Sequence, residues 1–310
     1  MSDLGEAVDP DSLGGPEFLA YSVLSVHREE GHGELSRTGY HKLTTIADLK
    51  LRSDHGLDIG LQSHWYFYGL TVVEDAFREQ IAFTPNANYH SGQAYYPADR
   101  VSETDFAHLD PELRRTVRSV VQQIVERHGD KDWRELERYQ YRAYAPSEFV
   151  ERYAMLRGVL YERRKRGARQ ASLGRFDHST PDAVVQGLDR MLEAFPEDRY
   201  ELLADEYLLW DDTFRLLADN GAPAEELEAF HERMVEAVSR VYLRFEVRNN
   251  VPTEQLHEWA VEARREIEQF RAQVETVRSR ALSTHEPEVG LSTVAESYNA
   301  TIHEEIENLD

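Results

Sequence analysis

The segment Pro252–Leu282, PTEQLHEWAVEARREIEQFRAQVETVRSRAL, decides the fold. Within it Leu256, Ala260, Ala263, Ile267, Phe270, Val274, Val277 and Ala281 follow one another at alternating steps of four and three residues. That spacing is the heptad seam of helices packed at roughly +20°. Two further stripes precede it. Leu203, Tyr207, Trp210, Phe214 and Leu217 end at Asn220-Gly221-Ala222-Pro223, and Leu227, Phe230, Met234, Val238, Val241 and Phe245 end at Asn249-Asn250. Connections of a few residues make neighbouring helices antiparallel, so residues 180–282 are expected to form an up-down helical bundle or antiparallel coiled coil. The seam from Leu256 to Val277 is the expected contact for a partner protein or a second copy of the chain.

Working outward, the rest of the 310 residues divides into a tail (1–15), an N-terminal module (16–105), an Arg-rich helical connector (106–175) and a C-terminal tail or short helix (283–310). In the module, Pro16 opens a helix stopped by Gly31 and Gly33, and Ser36 caps a second that runs to Gly56. His64–Leu70, HWYFYGL, reads as one strand ended by Gly69. A short helix over 72–83 and a second strand over 94–101 complete a winged-helix-like outline. Asp110-Pro111 and Thr180-Pro181 are cap-plus-proline helix starts. The fold class expected is therefore mainly α with a small β-hairpin: an α+β N-terminal module and a C-terminal antiparallel bundle.

Net charge is −23, from 58 acidic and 35 basic residues, and only Lys42, Lys50, Lys131 and Lys165 of the basic ones are lysine. Such an acidic, Arg-for-Lys surface fits a protein of the haloarchaeal type, working in molar salt where the Debye length is about 3 Å and carboxylate repulsion is screened. The absence of Cys excludes disulfides and thiolate metal sites. No stretch approaches the roughly 18 apolar residues of a membrane span, and the start has no apolar signal core. A cytoplasmic protein without membrane contact is expected. Against this acidic background, residues 112–175 carry sixteen Arg or Lys and nine Asp or Glu. Arg157, Arg163, Arg164, Lys165, Arg166, Arg169 and Arg175 are the candidate contacts for DNA or another polyanion, unless carboxylates of the same assembly neutralise them.

Metal chemistry has one lead. Glu228 with His231 and Glu254 with His257 have the Glu-x-x-His spacing used in ferritin-like bundles. His257 lies one position off the seam, and the more economical reading is two solvated helix faces. Asp54, His55 and Asp58 are explained equally well as a helix C-terminal turn. No Gly-x-Ser-x-Gly elbow, Walker loop or GxGxxG fingerprint occurs, so a non-catalytic protein without cofactor is expected.

The stretch Tyr40-His41-Lys42-Leu43-Thr44-Thr45-Ile46-Ala47-Asp48, followed by Trp65-Tyr66-Phe67-Tyr68-Gly69, resembles the Panacea domain, the domain of SocA-like antitoxins. The resemblance covers residues 16–105. The matching positions are Lys42, Leu43, Ala47, Asp48, Trp65, Tyr66, Tyr68 and Gly69, while Ile46 and Leu70 stand where that family favours an aromatic residue and Pro. It implies an adaptor or regulator with no catalytic residues. The function expected is a non-catalytic, antitoxin-like or transcription-regulator-like protein that binds a partner protein or DNA. The alternatives are a ferritin-like metalloenzyme and a purely structural coiled-coil adaptor.

Overall fold

A computed structural model describes residues 13–32, 35–73, 83–84, 94–95, 101–171 and 181–283. The chain is mainly helical with small antiparallel β-structure. Its helices are α1 (Gly15–Glu29), α2 (Arg37–His55), α3 (Pro111–His128), α4 (Trp133–Tyr144), α5 (Glu148–Ala171), α6 (Pro181–Ala194), α7 (Ala204–Asp219), α8 (Ala224–Val238), α9 (Arg244–Glu246) and α10 (Thr253–Ser283). The strands are β1 (Leu35–Ser36), β2 (Ser63–Tyr66), β3 (Gly69–Val72), β4 (Phe83–Thr84), β5 (Ala94–Tyr95) and β6 (Arg248–Asn249).

Helix starts follow the capping residues. Ser36 Oγ accepts the Gly39 N–H at 3.1 Å, Asp110 Oδ1 accepts those of Glu112 and Leu113, and Asp132 and Glu135 form a reciprocal capping box. Gly56, with φ +62°, closes α2 in the left-handed conformation. Order begins before Pro16: Leu13 is buried in the core, and the Gly14 N–H donates to Glu17 Oε2 at 2.7 Å. The remainder of the expected N-terminal tail, and all of 284–310, lie outside the described residues.

Apolar side chains gather into two cores, and these do not follow the divisions expected from sequence. The first joins α1, α2 and α3 around Phe18, Leu43, Ile46, Phe106 and Val121. The second joins α5, α6, α7, α8 and α10 around Phe149, Tyr153, Trp210, Met234 and Phe270. The connector is thus split: α3 packs on α1 and α2, whereas α5 packs on α6 and α8. Trp65 and Leu70, from the N-terminal third, are buried in the second core.

The β-structure explains that exchange. His64–Leu70 is not one strand: the chain reverses at Phe67-Tyr68, and β2 pairs with β3 in the register Ser63↔Val72 to Tyr66↔Gly69. Gly69 opens the second strand at φ +93° rather than ending the first. The other edge of β2 pairs with β6, Ser63 opposite Asn249, so the hairpin is an inset between two helical layers and not a projecting wing. Strand β5 pairs with β1 and β4 instead of β2. The helix expected over 72–83 falls largely on residues outside those described, and Val72 itself belongs to β3.

The bundle stripes of α7 and α8 are buried as their spacing predicts. The seam of α10 needs correction. Phe270, Val274 and Ala281 are buried, and Ala263, Ile267 and Val277 half-buried, all packed in the chain's own second core. In the first half Leu256 is half-buried and Ala260 exposed, while Trp259 and Glu266 take the buried positions. Glu266 is neutralised by Arg233 and by Arg240, the latter at 3.1 Å. Arg240 lies in a single π-helical turn, Ser239–Leu243, that links α8 to α9. Phe270 and Val274, proposed from sequence as partner contacts, have no surface left for a partner. No helix among the described residues is long and apolar enough to cross a membrane.

Candidate polyanion-binding face and the buried network beneath it

Lys42 occupies an interior position on α2, with 2% of its surface exposed. An ammonium there must find acceptors, because an unpaired buried charge costs several kcal/mol. It donates to the carbonyl of Tyr68, to that of Leu70 at 3.2 Å and to Gln140 Oε1 at 2.8 Å. Gln140 Nε2 in turn donates to Thr45 Oγ1 at 2.7 Å. The preceding carbonyl of the turn, Phe67, accepts from Tyr141 Oη at 3.0 Å and from Arg157 Nη1 at 3.2 Å. Arg157 also pairs with buried Glu137 of α4. Three helices therefore hold three carbonyls of one tight hairpin turn. A side chain at Gly69 would place Cβ 2.8 Å from Gln140 Oε1 and 3.2 Å from Lys42 Nζ, so close approach as well as positive φ demands glycine.

Burial pushes the Lys42 ammonium down to about 7, opposed by Glu137 and reinforced by Arg157. Burial likewise raises the Glu137 carboxyl, against the pull of Arg157 and Lys42.

Above it, the pinned turn presents one ring to solvent. Tyr68 is 37% exposed; the buried Arg157 guanidinium lies 5.3 Å from its ring centre, and Trp133 meets it edge-on at 5.6 Å. Burial of the rest of the ring, then Glu232, raises the Tyr68 hydroxyl to about 12, so it stays protonated. Arg134 sits 4.8 Å from the Trp133 ring and 4.2 Å from that of Tyr161, donating to the Tyr161 hydroxyl at 2.7 Å. Arg164 and Lys165 approach the same Tyr161 ring at 5.4 and 6.0 Å. Electron-rich ring faces attract cations, which helps like charges crowd here.

The basic residues expected to contact a polyanion fall into four groups. Arg157 is not at the surface; 8% exposed, it is spent inside the network. Arg164 pairs with Glu228 at 3.0 Å. Lys165 and Arg166 are exposed and Arg163 half-buried, and these three, with Arg134, have no carboxylate within 4 Å among the described residues. Arg175 and the side chain of Arg169 lie outside the described residues. Arg134, Trp133 and Tyr161 went unread in the sequence, where residues 27 positions apart show no sign of meeting.

Of the motif residues, Lys42, Tyr68 and Gly69 converge on the turn, whereas Leu43, Ala47 and Trp65 are core. Tyr66 points elsewhere, its hydroxyl accepting from Arg240 Nε at 3.3 Å. Asp48 pairs with Arg52 one turn along α2 at 2.8 Å; burial raises its carboxyl to about 6 despite that cation. The two Glu-x-x-His pairs do not form a site. Glu228 is engaged by Arg164, and His231 is buried with Nε2 donating to the Tyr153 carbonyl at 2.9 Å. Glu254 and His257 are exposed on α10, and no group of His, Asp and Glu able to hold a metal occurs among the described residues. Asp54 pairs with Lys50, and Asp58 accepts from the Gly60 N–H at 2.9 Å.

Comparison with protein-family models, with curated proteins and with solved structures found no match for this chain.

Proposed function

We propose that the chain is a non-catalytic regulatory or adaptor protein that binds an anionic macromolecule through the face formed by the Phe67-Tyr68 turn, α4 and the end of α5. The observation that carries this reading is that Arg134 and Lys165, which meet at the Tyr161 ring, and Arg163 and Arg166 on the same last turns of α5 have no ion-pair partner among the described residues, on a chain of net charge −23. An acidic molecule repels polyanions at long range, so a local cationic face is what admits one. The resemblance of the Lys42 and Tyr68-Gly69 stretches to the Panacea domain supports a regulator, and the same residues shape the turn beneath the face. A cytoplasmic setting in a salt-adapted cell is part of the proposal.

Binding of fluorescent oligonucleotides and of fluorescent polyglutamate, measured at 0.2–1 M KCl, tests it. The wild-type chain should bind at least one of them. The triple variant R163E/K165E/R166E should weaken that binding at least tenfold, while far-UV circular dichroism stays unchanged. Absence of binding by the folded wild type to either probe overturns the reading.

A further inference from the structure

We propose that residues 284–310 of the same chain fold back on the end of α5 and pair with its free cations, so that an outside polyanion must displace them. The inference rests on the reading of this face as an anion site and assigns its regulation. Residues 163–171, with which α5 ends, hold Arg163, Arg164, Lys165, Arg166 and Arg169 and no Asp or Glu. Residues 284–310 hold seven Asp or Glu and no Arg or Lys. Each stretch lacks the charge that the other carries.

The fold brings the two together at one end of the helical bundle. Arg164 of α5 pairs with Glu228, and Arg280 of α10 with Glu226, so both helices are fastened to the first turns of α8. Asn220, at the close of α7, donates to the Ala281 carbonyl at 3.0 Å and fixes the last turn of α10 there. Because α5 and α10 both pack on α8, two helix spacings, about 20 Å, separate their axes at most, and about six extended residues cover that distance. The segment that leaves α10 at Ser283 therefore starts within reach of Lys165 and Arg166, both exposed. A tethered segment acts at an effective concentration on the order of millimolar, which a free ligand must overcome.

The folded part of the chain does not supply this partner. Glu228 is taken by Arg164, while Glu162, Glu225 and Glu232 border this end and form no ion pair with its cations among the described residues. Lys165 shares one side of α5 with Tyr161 and Arg134, whereas Arg163 and Arg166 lie on the other, so a segment that crosses the helix is needed to meet both. The helix dipole favours cations only in a final turn, and residues 163–166 precede it.

Carbodiimide coupling of the full chain in 0.2 M KCl, read by peptide mass spectrometry, tests the contact, because it joins a carboxylate to a lysine it touches and the chain has four lysines. Lys165 should link to Glu296, Glu304, Glu305 or Glu307, and in a mixture of 14N and 15N chains each link should carry one isotope. The yield should fall at least threefold at 1 M KCl, whereas the short Lys50–Asp54 pair provides the reference link. In a second measurement, E296Q/E304Q/E305Q/E307Q should bind fluorescent oligonucleotide or polyglutamate at least fivefold more tightly than wild type. E201Q/E254Q/E258Q/E268Q, the same change in net charge on exposed sites of the folded part, should stay within twofold of wild type. Absence of the Lys165 link, or links that join two chains, overturns the proposal while leaving an anion site. Equal gains in the two quadruple variants also overturn it, and binding of neither probe by wild type or variant removes both readings.

Discussion

Lys42 is the residue on which the turn depends. Replacing it with Met fills similar volume but leaves the carbonyls of Tyr68 and Leu70 and Gln140 Oε1 without their donor, and Glu137 with one cation fewer. Stripping one partner from a buried ionic cluster typically costs about 3–5 kcal/mol, and Lys42→Met should lose roughly that in urea denaturation. The pH dependence has a definite sign. Lys42 holds its proton less tightly in the native chain (about 7) than unfolded (10.5), so the unfolded state binds more protons between those values and stability rises with pH there. Urea midpoints should climb from pH 7 to 9.5 in the wild type and lose that increment in Lys42→Met. On the acid side, burial depresses His64 and His231 to about 3 and His128 to about 4 from an ordinary 6.5, so stability is lost as pH falls below 6.5. Asp48, raised to about 6, and Glu137, Asp211 and Glu228, also raised by burial, work in the opposite sense on the acid side and reduce that loss. A flat stability profile from pH 4 to 9.5 would contradict this account. Lys42 was legible as a motif residue, yet its burial was not: a lysine one position before Leu43 looks like a helix edge until the acceptors, 26 to 98 residues away, are known.

At the scale of elements, periodicity revealed α7, α8 and the C-terminal half of α10 because those positions are apolar. It misplaced the first half of α10 because Glu266, a carboxylate, is core there, a role that only Arg233 and Arg240 on the facing helix and π-helical turn make tolerable. The hairpin was half read. Its aromatic content marked a strand, but Gly69 was taken as an end instead of the first residue past a two-residue reversal, and β6 is too short to register in any pattern. The corrected seam separates two substitutions that the sequence alone would treat alike. Phe270→Ala, in the second core, should cost about 3–5 kcal/mol, whereas Ala260→Glu, on the exposed side, should be within about 0.5 kcal/mol of wild type. Chemical denaturation distinguishes them, and comparable losses would restore the original seam.

For the whole molecule, charge is the dominant property. Twenty-three uncompensated negative charges repel one another over a Debye length of about 10 Å at 0.1 M salt and about 3 Å at 1 M. Surface ion pairs such as Lys50–Asp54 and Arg152–Glu148 are solvent-exposed and weaken in the same range, so the relief of net repulsion should prevail. The thermal midpoint should rise from 0.1 to 2 M KCl. A midpoint that falls or stays level would leave the acidic composition without the salt-adapted role proposed for it. Composition made this charge plain, but it did not place it: which cations stay free depends on Glu137 and Glu228 having claimed Arg157 and Arg164.

The pairing of Ser63 with Asn249, reinforced by Asn249 Nδ2 donating to the Leu61 carbonyl 188 residues away, bears on how the chain is made. During synthesis the outer edge of β2 has no mate until residues 248–249 have left the ribosome, and such long-range closure is slow. Until then Trp65 lacks the helices that bury it, so a nascent chain stalled before residue 248 should be a client of chaperones and sensitive to proteases, and release of α10 should abolish both traits.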